Sequence, residues 1–328
     1  MEARGGIGYR SVVTDISPTH HILLISRRVK PMSTSESKPD TTELEAPPET
    51  AASTGLTEEE RESVGELTKP RAAVIYEIIR AEGRHELSRS TSALWWSGLA
   101  AGLSISFSML AEALLMAYLP DTDWRPIAEN FGYCVGFLIV VLGRQQLFTE
   151  NTITAVLPLA ATPSWLYLRA MLRLWGIVFA ANLVGCFVFA LYIAKGGVLH
   201  ANVVEALLEL CRHLMDNTPV EMFTKGIIAG WLIAAMVWML PSSDGASSFF
   251  VIVLATYLIA LGDFTHVVAG SAEVFYLVIH GEVTLSGFAG EFLVPTFFGN
   301  VVGGTALFAL LAFGQVHDEI EPARKVRE

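Results

Sequence analysis

The side chains best suited to chemistry lie in two short polar stretches that interrupt apolar sequence. They are Phe148-Thr149-Glu150-Asn151 and Asp263-Phe264-Thr265-His266. His266 is the only histidine inside a long apolar segment, and an imidazole can hold or release a proton near neutral pH. Thr149 and Thr265 offer hydroxyl groups, which either contact a solute or cap a helix. This pattern predicts a proton-exchanging, solute-contacting site at His266.

Two carboxylates lie beside these residues. Glu150 and Asp263 adjoin apolar sequence, where an unpaired carboxylate is costly, so each must face elsewhere, pair or be neutralised. Arg144 is the nearest candidate partner in the sequence.

Further polar and small residues suit structural roles around the same stretches. Asn151, Asn182 and Asn300 are predicted to hold loop backbones through their amides. The glycines predicted to permit close helix packing are Gly185, Gly303 and Gly304.

Aromatic side chains supply candidates for apolar constrictions in a pore. Phe148 and Phe264 adjoin the two threonines and are the first candidates. Phe107, Phe131 and Phe298 are further ones, although most of the 18 phenylalanines must face lipid or core.

Several classes of chemistry find no support. No motif supplies a nucleophile together with its base, so the sequence does not predict an enzyme. Cys134, Cys186 and Cys211 lack a CxxC pair or zinc spacing, which indicates neither a metal site nor a disulfide framework. No cofactor motif is present, and a net charge of -11 argues against nucleic acid as a partner.

Composition sets the environment in which these residues act. Hydrophobic residues make up 52% of the 328 residues and charged residues only 17%, with a mean hydropathy of +0.47. A water-exposed surface needs more charge than this, so the chain is predicted to be an all-α integral membrane protein.

The N-terminal part has a different composition. Residues 1–69 are acidic and rich in Ser, Thr, Glu and Pro, which predicts disorder, and residues 1–31 are suspected to be a misassigned start. Residues 70–90 are predicted to form an amphipathic pre-membrane helix that carries Val74, Ile75, Ile78 and Ile79 and ends near Gly83, at the membrane surface or under the bundle. The transporter domain is then predicted over 91–315, followed by a cytoplasmic tail over 316–328.

Apolar segments of about 20 residues, the length needed to cross a bilayer, predict six spans. Four are continuous: 93–119, 172–194, 226–240 and 292–313. The second and fifth are broken at 143–152 and 262–266, with each half predicted to be too short to cross alone. Basic residues before the first span and after the last favour cytoplasmic termini.

The two broken spans indicate an internal repeat. Each lies in the middle of a three-span half, each break contains Phe-Thr, and the next span carries Asn182-Leu183-Val184-Gly185 or Asn300-Val301-Val302-Gly303. Halves with an odd number of spans insert with opposite topology, and broken helices in inverted repeats mark a central solute pathway. The half-helices that begin near Asn151 and Val267 would direct positive dipole ends at the centre, which favours a small anion.

The same residues resemble the formate/nitrite transporter family. The resemblance runs from about Pro70 to Phe313, and its motifs are Leu147-Phe148-Thr149-Glu150-Asn151-Thr152, Phe264-Thr265-His266-Val267-Val268-Ala269-Gly270 and Gly299-Asn300-Val301-Val302-Gly303-Gly304. It implies an aquaporin-like six-span protomer with its own pore, assembled as a homo-pentamer in the cytoplasmic membrane of a bacterium. It also implies that Thr149 and His266 are the pore threonine and histidine, and that Asn300 holds a loop.

The chain departs from the family's pattern around the histidine. Formate-carrying members typically have Glu and Asn where this chain has Thr265 and Gly270, and Gly230 replaces an asparagine of the fourth span. The chain therefore resembles a divergent branch, and its substrate is left open.

Three functions follow as hypotheses. The first is a channel-like, proton-coupled transporter of small monovalent weak-acid anions such as formate, nitrite, acetate or hydrosulfide, with protons and the lipid bilayer as the other partners. The second is a pore for a small neutral solute. The third is a membrane scaffold or sensor that keeps a transporter fold and uses the acidic N-terminal region to bind a partner.

Overall fold

The computed structural model describes Thr57 and residues 68–325. The predicted disordered region 1–69, including 1–31, therefore lies almost wholly outside the described residues. The described part contains helices and no strand. Long apolar helices suit a bilayer because a helix satisfies its own backbone hydrogen bonds.

The first half of the bundle contains eight helices in the described residues. They are α1 (Ala72–Ser88), α2 (Thr91–Ile105), α3 (Phe107–Tyr118), α4 (Arg125–Glu129), α5 (Cys134–Leu142), α6 (Asn151–Thr154), α7 (Val156–Ala161) and α8 (Trp165–Lys195). Span 1 consists of α2 and α3, span 2 of α4 to α7, and span 3 of α8. The interval between α5 and α6 is break 1.

The second half repeats this plan. It contains α9 (Ala201–Met215), α10 (Pro219–Met239), a 3-10 turn (Leu240–Ser242), α11 (Ala246–Leu261), α12 (Val267–His280), α13 (Leu285–Gly287), a π-helical segment (Phe288–Leu293), α14 (Val294–Val301), a second π-helical segment (Val302–Ala309) and α15 (Leu310–Lys325). Span 4 is α10, span 5 consists of α11 and α12, and span 6 runs from α13 into α15. The interval between α11 and α12 is break 2.

Several spans are longer than the sequence predicts. Spans 3 and 4 begin at Trp165 and Pro219, each seven residues before the predicted start. Residues Arg125–Leu142 form an 18-residue apolar stretch, long enough by length and composition to cross a membrane. The prediction that each half of the broken spans is too short is therefore wrong for the first half of span 2, because α4 extends it. In span 6 the helix continues beyond residue 315 to Lys325.

The pre-membrane helix α1 is longer than predicted. It continues to Ser88, and Gly83 lies within it, where an added Cβ would overlap the carbonyl oxygen of Thr154. The predicted end at Gly83 is wrong because this glycine serves a close contact with span 2. The buried face consists of Ile75, Tyr76, Ile79, Gly83 and Leu87.

Two residues of the predicted apolar stripe do not belong to that face. Val74 and Ile78 are each 44% exposed. Helix α1 packs against α7 and α8, so it lies under the bundle.

Glycines let spans cross closely in both halves. An added Cβ at Gly102 of span 1 would overlap the backbone of Asn182, and one at Gly230 of span 4 would overlap the backbone of Asn300. Gly185 and Gly303 serve the same crossings from the other side: a Cβ at Gly185 would lie 2.6 Å from the Leu99 oxygen, and one at Gly303 would overlap the Ile227 oxygen. The crossings of spans 1 and 3 and of spans 4 and 6 are thus built alike.

Candidate functional site

The two breaks share one backbone conformation. Helices α5 and α11 end at Gly143 and Gly262. The next residues, Arg144 and Asp263, have positive φ values of 53° and 52°, which are the only positive φ angles outside glycine in the described chain. Such angles are uncommon for these residue types, so their occurrence at matching points indicates a shared structural requirement.

Asn182 of span 3 binds the backbone of break 1. Its Oδ1 accepts a hydrogen bond from the Phe148 N–H at 2.9 Å. Its Nδ2 donates to the carbonyl oxygens of Gln146 at 2.9 Å and Gly98 at 2.8 Å. The amide thereby supplies partners to loop groups that hydrocarbon could not satisfy.

Asn300 of span 6 makes the equivalent contacts with break 2. Its Oδ1 accepts from the Val267 N–H at 2.8 Å, and its Nδ2 donates to the carbonyls of Thr265 and Gly226, each at 2.9 Å. Both asparagines are fully buried.

These contacts fix the register of the repeat. Gln146 corresponds to Thr265 and Phe148 to Val267, since each pair bonds the same amide atoms. The predicted equivalence of the two Phe-Thr pairs is therefore wrong by three residues, because Phe264 corresponds to Gln145. The repeat is real, but the matching dipeptides are coincidental.

The two breaks meet at the side chains of His266 and Thr149. His266 Nε2 lies 2.7 Å from Thr149 Oγ1, and both residues are buried. His266 Nδ1 accepts a hydrogen bond from the Ala269 N–H at 3.1 Å. A neutral ring bonded in this way carries its hydrogen on Nε2, which donates to Thr149.

The N-cap of α12 is His266 itself, through its side chain. Thr265 instead donates its hydroxyl to the Met222 carbonyl at 2.7 Å, and α6 has no side-chain cap. The alternative that Thr149 and Thr265 are helix caps is therefore wrong.

Asn151 lies at the start of α6. Its Nδ2 donates to Gln146 Oε1 and to the Leu147 carbonyl, each at 3.1 Å. Gly304 of span 6 lies against the next residue of α6, since an added Cβ at Gly304 would overlap the hydroxyl of Thr152.

The candidate aromatics have different surroundings. The Phe148 ring packs in a buried cluster with Trp175, Phe179 and Phe297. Phe264 lines a cavity next to His266.

Phe107, Phe131 and Phe298 are 42%, 49% and 54% exposed on the protomer. The ring that contacts the histidine is Phe137, whose centroid lies 5.1 Å from that of His266 in an edge-on arrangement.

The charged residues do not pair as predicted. Arg144 has an exposed side chain, and its Nη2 lies 2.7 Å from Glu82 Oε1 on α1. Asp263 pairs with Lys225 of span 4. Glu150 Oε1 is buried and has no hydrogen-bond partner among the described residues.

Cavities lie on both faces of the bundle. On the face that carries α9, a cavity of about 60 Å³ is lined by His266, Thr265 and Phe264 and by Glu112 and Glu273. It shares Leu210 and His213 with an outer vestibule of about 490 Å³. On the face that carries α1, a cavity of about 880 Å³ is lined in part by Arg144, Gln146 and Glu150.

Glu112, Tyr133, Phe137 and Glu273 were not identified from the sequence. Glu112 and Glu273 are single acids inside apolar runs, and an ionisable residue at membrane depth is itself a functional signal. Tyr133 and Phe137 carry no such signal, because nothing in the sequence distinguishes them from lipid-facing aromatics.

Comparison with known proteins identifies the class. A sequence model described as formate/nitrite transporter matches residues 73–314. Inner membrane protein YfdC of Escherichia coli strain K12 is 44% identical over 255 residues, which cover 78% of this chain and 82% of YfdC. Formate channel FocA of Haemophilus influenzae is 25% identical, over 63% of this chain and 81% of FocA.

Solved structures agree on the fold. A structure titled FNT family ion channel matches with a TM-score of 0.65 at 20% identity, covering 74% of this chain and 98% of that one. A pentameric formate channel with formate bound matches with a TM-score of 0.61 at 18% identity, covering 69% and 97%.

The family match identifies the chain as a multi-pass membrane channel or transporter rather than an enzyme. The chain belongs to the formate/nitrite transporter family. This confirms the predicted all-α, aquaporin-like bundle of two inverted three-span repeats with broken second and fifth spans.

Proposed function

We propose that the chain is a channel-like transporter of small monovalent weak-acid anions and that it exchanges a proton with its solute at His266. The observation that carries this proposal is the contact of His266 Nε2 with Thr149 Oγ1, where the two breaks meet. Relatives described as formate channels, such as FocA of Haemophilus influenzae, support a small anion as the solute.

The proton step uses both ring nitrogens. An anion that approaches Nε2–H favours the charged imidazolium, so Nδ1 takes a proton from water and releases its bond to the Ala269 N–H. Nε2 then passes its proton to the anion, which leaves a neutral acid and a neutral ring protonated on Nδ1. The ring resets when Nδ1 releases its proton to water, Nε2 takes one up from water, and the Ala269 N–H bonds to Nδ1 again.

The half-helices assist this step electrostatically. The N-terminus of α12 lies at His266, and its dipole contributes up to about 1 kcal/mol to a nearby anion. The first N–H groups of this helix already bond to Asn300 and to His266, so in our proposal the dipole acts on the anion through space.

Other predicted site residues have supporting roles in this proposal. Asn151, Asn182 and Asn300 hold the breaks through the hydrogen bonds described above. Gly185, Gly303 and Gly304 allow close packing of the spans. Thr265 and Phe264 line the path on the α9 side, and Phe148 supports break 1 from its aromatic cluster.

A neutral-solute pore is the second candidate. The acidic lining of the cavity at His266 favours it, because Glu112, Glu273 and Asp263 disfavour an incoming anion there.

We further propose a homo-pentamer in the bacterial inner membrane with both termini in the cytoplasm. The matched pentameric formate channel and the inner membrane protein YfdC support this. Large apolar side chains such as Trp165 and Phe250, which are 74% and 67% exposed, then face lipid or neighbouring protomers. Native mass spectrometry in mild detergent tests the assembly, and an active monomer would contradict it.

Flux measurements in proteoliposomes test the function. The panel contains formate, nitrite, acetate, lactate, hydrosulfide and glycerol, each at two pH values. We expect flux of at least one weak acid that depends on pH and on the pKa of the solute. Flux of glycerol alone, with no pH dependence, would instead establish the neutral-solute pore.

A further inference from the structure

Two buried carboxyl groups without partners line the cavity at His266. Glu112 of α3 is 6% exposed and Glu273 of α12 is 8% exposed. Among the described residues, neither side chain takes part in a hydrogen bond or an ion pair. A buried carboxylate without a partner is costly, so this pair calls for an occupant or a proton.

The basic groups nearby are engaged by other acids. Lys225 pairs with Asp263, and Arg212 of the outer vestibule pairs with Glu282 at 2.6 Å. Glu112 and Glu273 are therefore left without a counter-charge.

The remaining basic groups of this face are likewise directed elsewhere. Arg125 lies 3.1 Å from Glu129 and 3.2 Å from Asp121. His213 lies 3.8 Å from Asp263 and 3.9 Å from Asp216.

The titratable groups that face the pair are mostly acidic or neutral. Tyr133, His213, Asp263 and His266 share its cavity. Cys134 of α5, Cys211 of α9 and Glu129 of α4 lie around it. In the described residues no group of three or more His, Cys, Asp or Glu side chains is arranged to hold a metal ion, so a proton is the simplest neutralising partner.

We propose that Glu112 and Glu273 form a filter on the α9 side that excludes free anions and admits the neutral, protonated acid. An anion in this cavity would face two carboxyl groups without a compensating cation. A neutral acid instead donates its O–H to one carboxylate and accepts a hydrogen bond from a protonated one. The α9 side of the pore thus selects solutes by whether they carry a proton.

This inference rests on the proposed function, and it adds the form in which the solute crosses the α9 side. The acid keeps its proton through this cavity and exchanges it at His266, which lies in the cavity lining where the two breaks meet. Permanently charged anions are excluded whatever their size.

Conductance and flux of the full-length protein, reconstituted in liposomes, test the filter. The probes are formate as the weak acid and nitrate as the permanently charged anion. In the parent we expect formate flux to fall about tenfold for each pH unit above the pKa of formic acid, with nitrate excluded. The double variant Glu112→Gln with Glu273→Gln removes the carboxylate charge of the pair at similar volume, and we expect nitrate conductance to rise about tenfold or more.

Three further single variants serve as controls. Glu209→Gln makes the same change at an exposed side chain in the wide vestibule, and we expect nitrate to remain excluded because water screens that charge. The single variants Glu112→Gln and Glu273→Gln give smaller increases and replace the double variant should it fail to assemble, as judged by size-exclusion chromatography.

The outcomes separate the two proposals. A parent that carries no weak acid overturns the proposed function and this inference with it. A parent that carries formate, but whose Gln variants exclude nitrate as well as before, overturns the filter alone. A parent that conducts nitrate as readily as formate also overturns the filter.

Discussion

Break 1 and break 2 have the same scaffold and different chemistry. In each, a helix ends at glycine and a residue with positive φ follows. A buried asparagine then binds the break through two hydrogen bonds and a neighbouring span through a third. At the point where the breaks meet, break 1 presents the hydroxyl of Thr149 and break 2 the imidazole of His266. The comparison teaches that the repeat preserves backbone satisfaction, while side-chain chemistry has diverged.

The surroundings of the two breaks differ in charge as well. Arg144 of break 1 reaches α1 and pairs with Glu82. Asp263 of break 2 pairs with Lys225 and borders the acidic cavity. The residue with positive φ is therefore basic in break 1 (Arg144) and acidic in break 2 (Asp263). The two ends of the path thus present different electrostatic environments.

The largest effect should come from the asparagines. Asn182→Ala or Asn300→Ala removes three hydrogen bonds and leaves one buried N–H and two carbonyls without these partners. We expect each variant to lose about 3–6 kcal/mol of stability, because an unsatisfied buried group costs about 1–3 kcal/mol. Thermal unfolding in detergent measures this, with exposed Asn202→Ala as the control.

A large loss in one asparagine variant and none in the other would contradict the shared scaffold.

Substitution of the glycines at the close span crossings should give the next largest loss of stability. Gly303→Ala places a Cβ on the Ile227 carbonyl and Gly185→Ala places one 2.6 Å from the Leu99 carbonyl. We expect losses of about 1–3 kcal/mol, larger for Gly303, because overpacking against a backbone forces the spans apart. Thermal unfolding again gives the ranking.

Gly176→Ala of span 3 is the matched control, since its Cβ meets nothing within 4 Å. This variant should gain about 0.5–1 kcal/mol as an ordinary helix glycine replaced by alanine. Equal stability of all three variants would remove the packing argument.

His266→Asn should change transport more than stability. Asn can still accept from the Ala269 N–H as an N-cap, but it cannot titrate. We expect intact folding and assembly, with the pH dependence of weak-acid flux altered. A variant with the parent's rates and pH profile for every solute would reassign His266 to a structural role.

Thr149→Val should give a smaller change. It removes the hydroxyl that His266 Nε2 contacts while keeping the side-chain shape, a loss of about 0.5–1.5 kcal/mol. We expect slower weak-acid flux at unchanged assembly, measured in proteoliposomes. Thr256→Val is the control, because its buried hydroxyl bonds the Ile252 carbonyl of its own helix and does not contact His266. Equal flux defects in both variants would deny Thr149 a special role.

The smallest effect concerns the ion pair between Arg212 of α9 and Glu282, which follows span 5. Among the described residues no equivalent pair is found at span 2. The hydrogen bond from Arg212 lowers the pKa of Glu282 from its usual value near 4.5. The ion pair therefore stabilises the folded state fully at pH values above the usual carboxyl pKa. This stabilisation is lost as the pH falls through the lowered pKa of Glu282. We expect Glu282→Gln to lower the thermal midpoint slightly at neutral pH and low salt, and not at high salt. A shift that is independent of salt would exclude an ion pair as its cause.

Much of the architecture could be predicted from local sequence. Six apolar units, two of them interrupted, follow from segment length, and an odd number of spans per half implies inversion. The predictions failed where a short sequence pattern was interpreted without the tertiary contacts that determine its role. The paired Phe-Thr dipeptides suggested a register that the asparagine contacts shift by three residues, and Gly83 looked like a helix end although it serves a contact with Thr154.

The sequence by itself determined that this is a broken-helix membrane bundle with His266 at a break, because hydrophobic length and backbone interruption are properties of contiguous residues. Only the tertiary structure decided that His266 meets Thr149, 117 residues away, that Arg144 turns to Glu82, and that Glu112 and Glu273 share one cavity. These contacts depend on the rotation and depth of separate helices, which are set by packing among residues far apart in the chain.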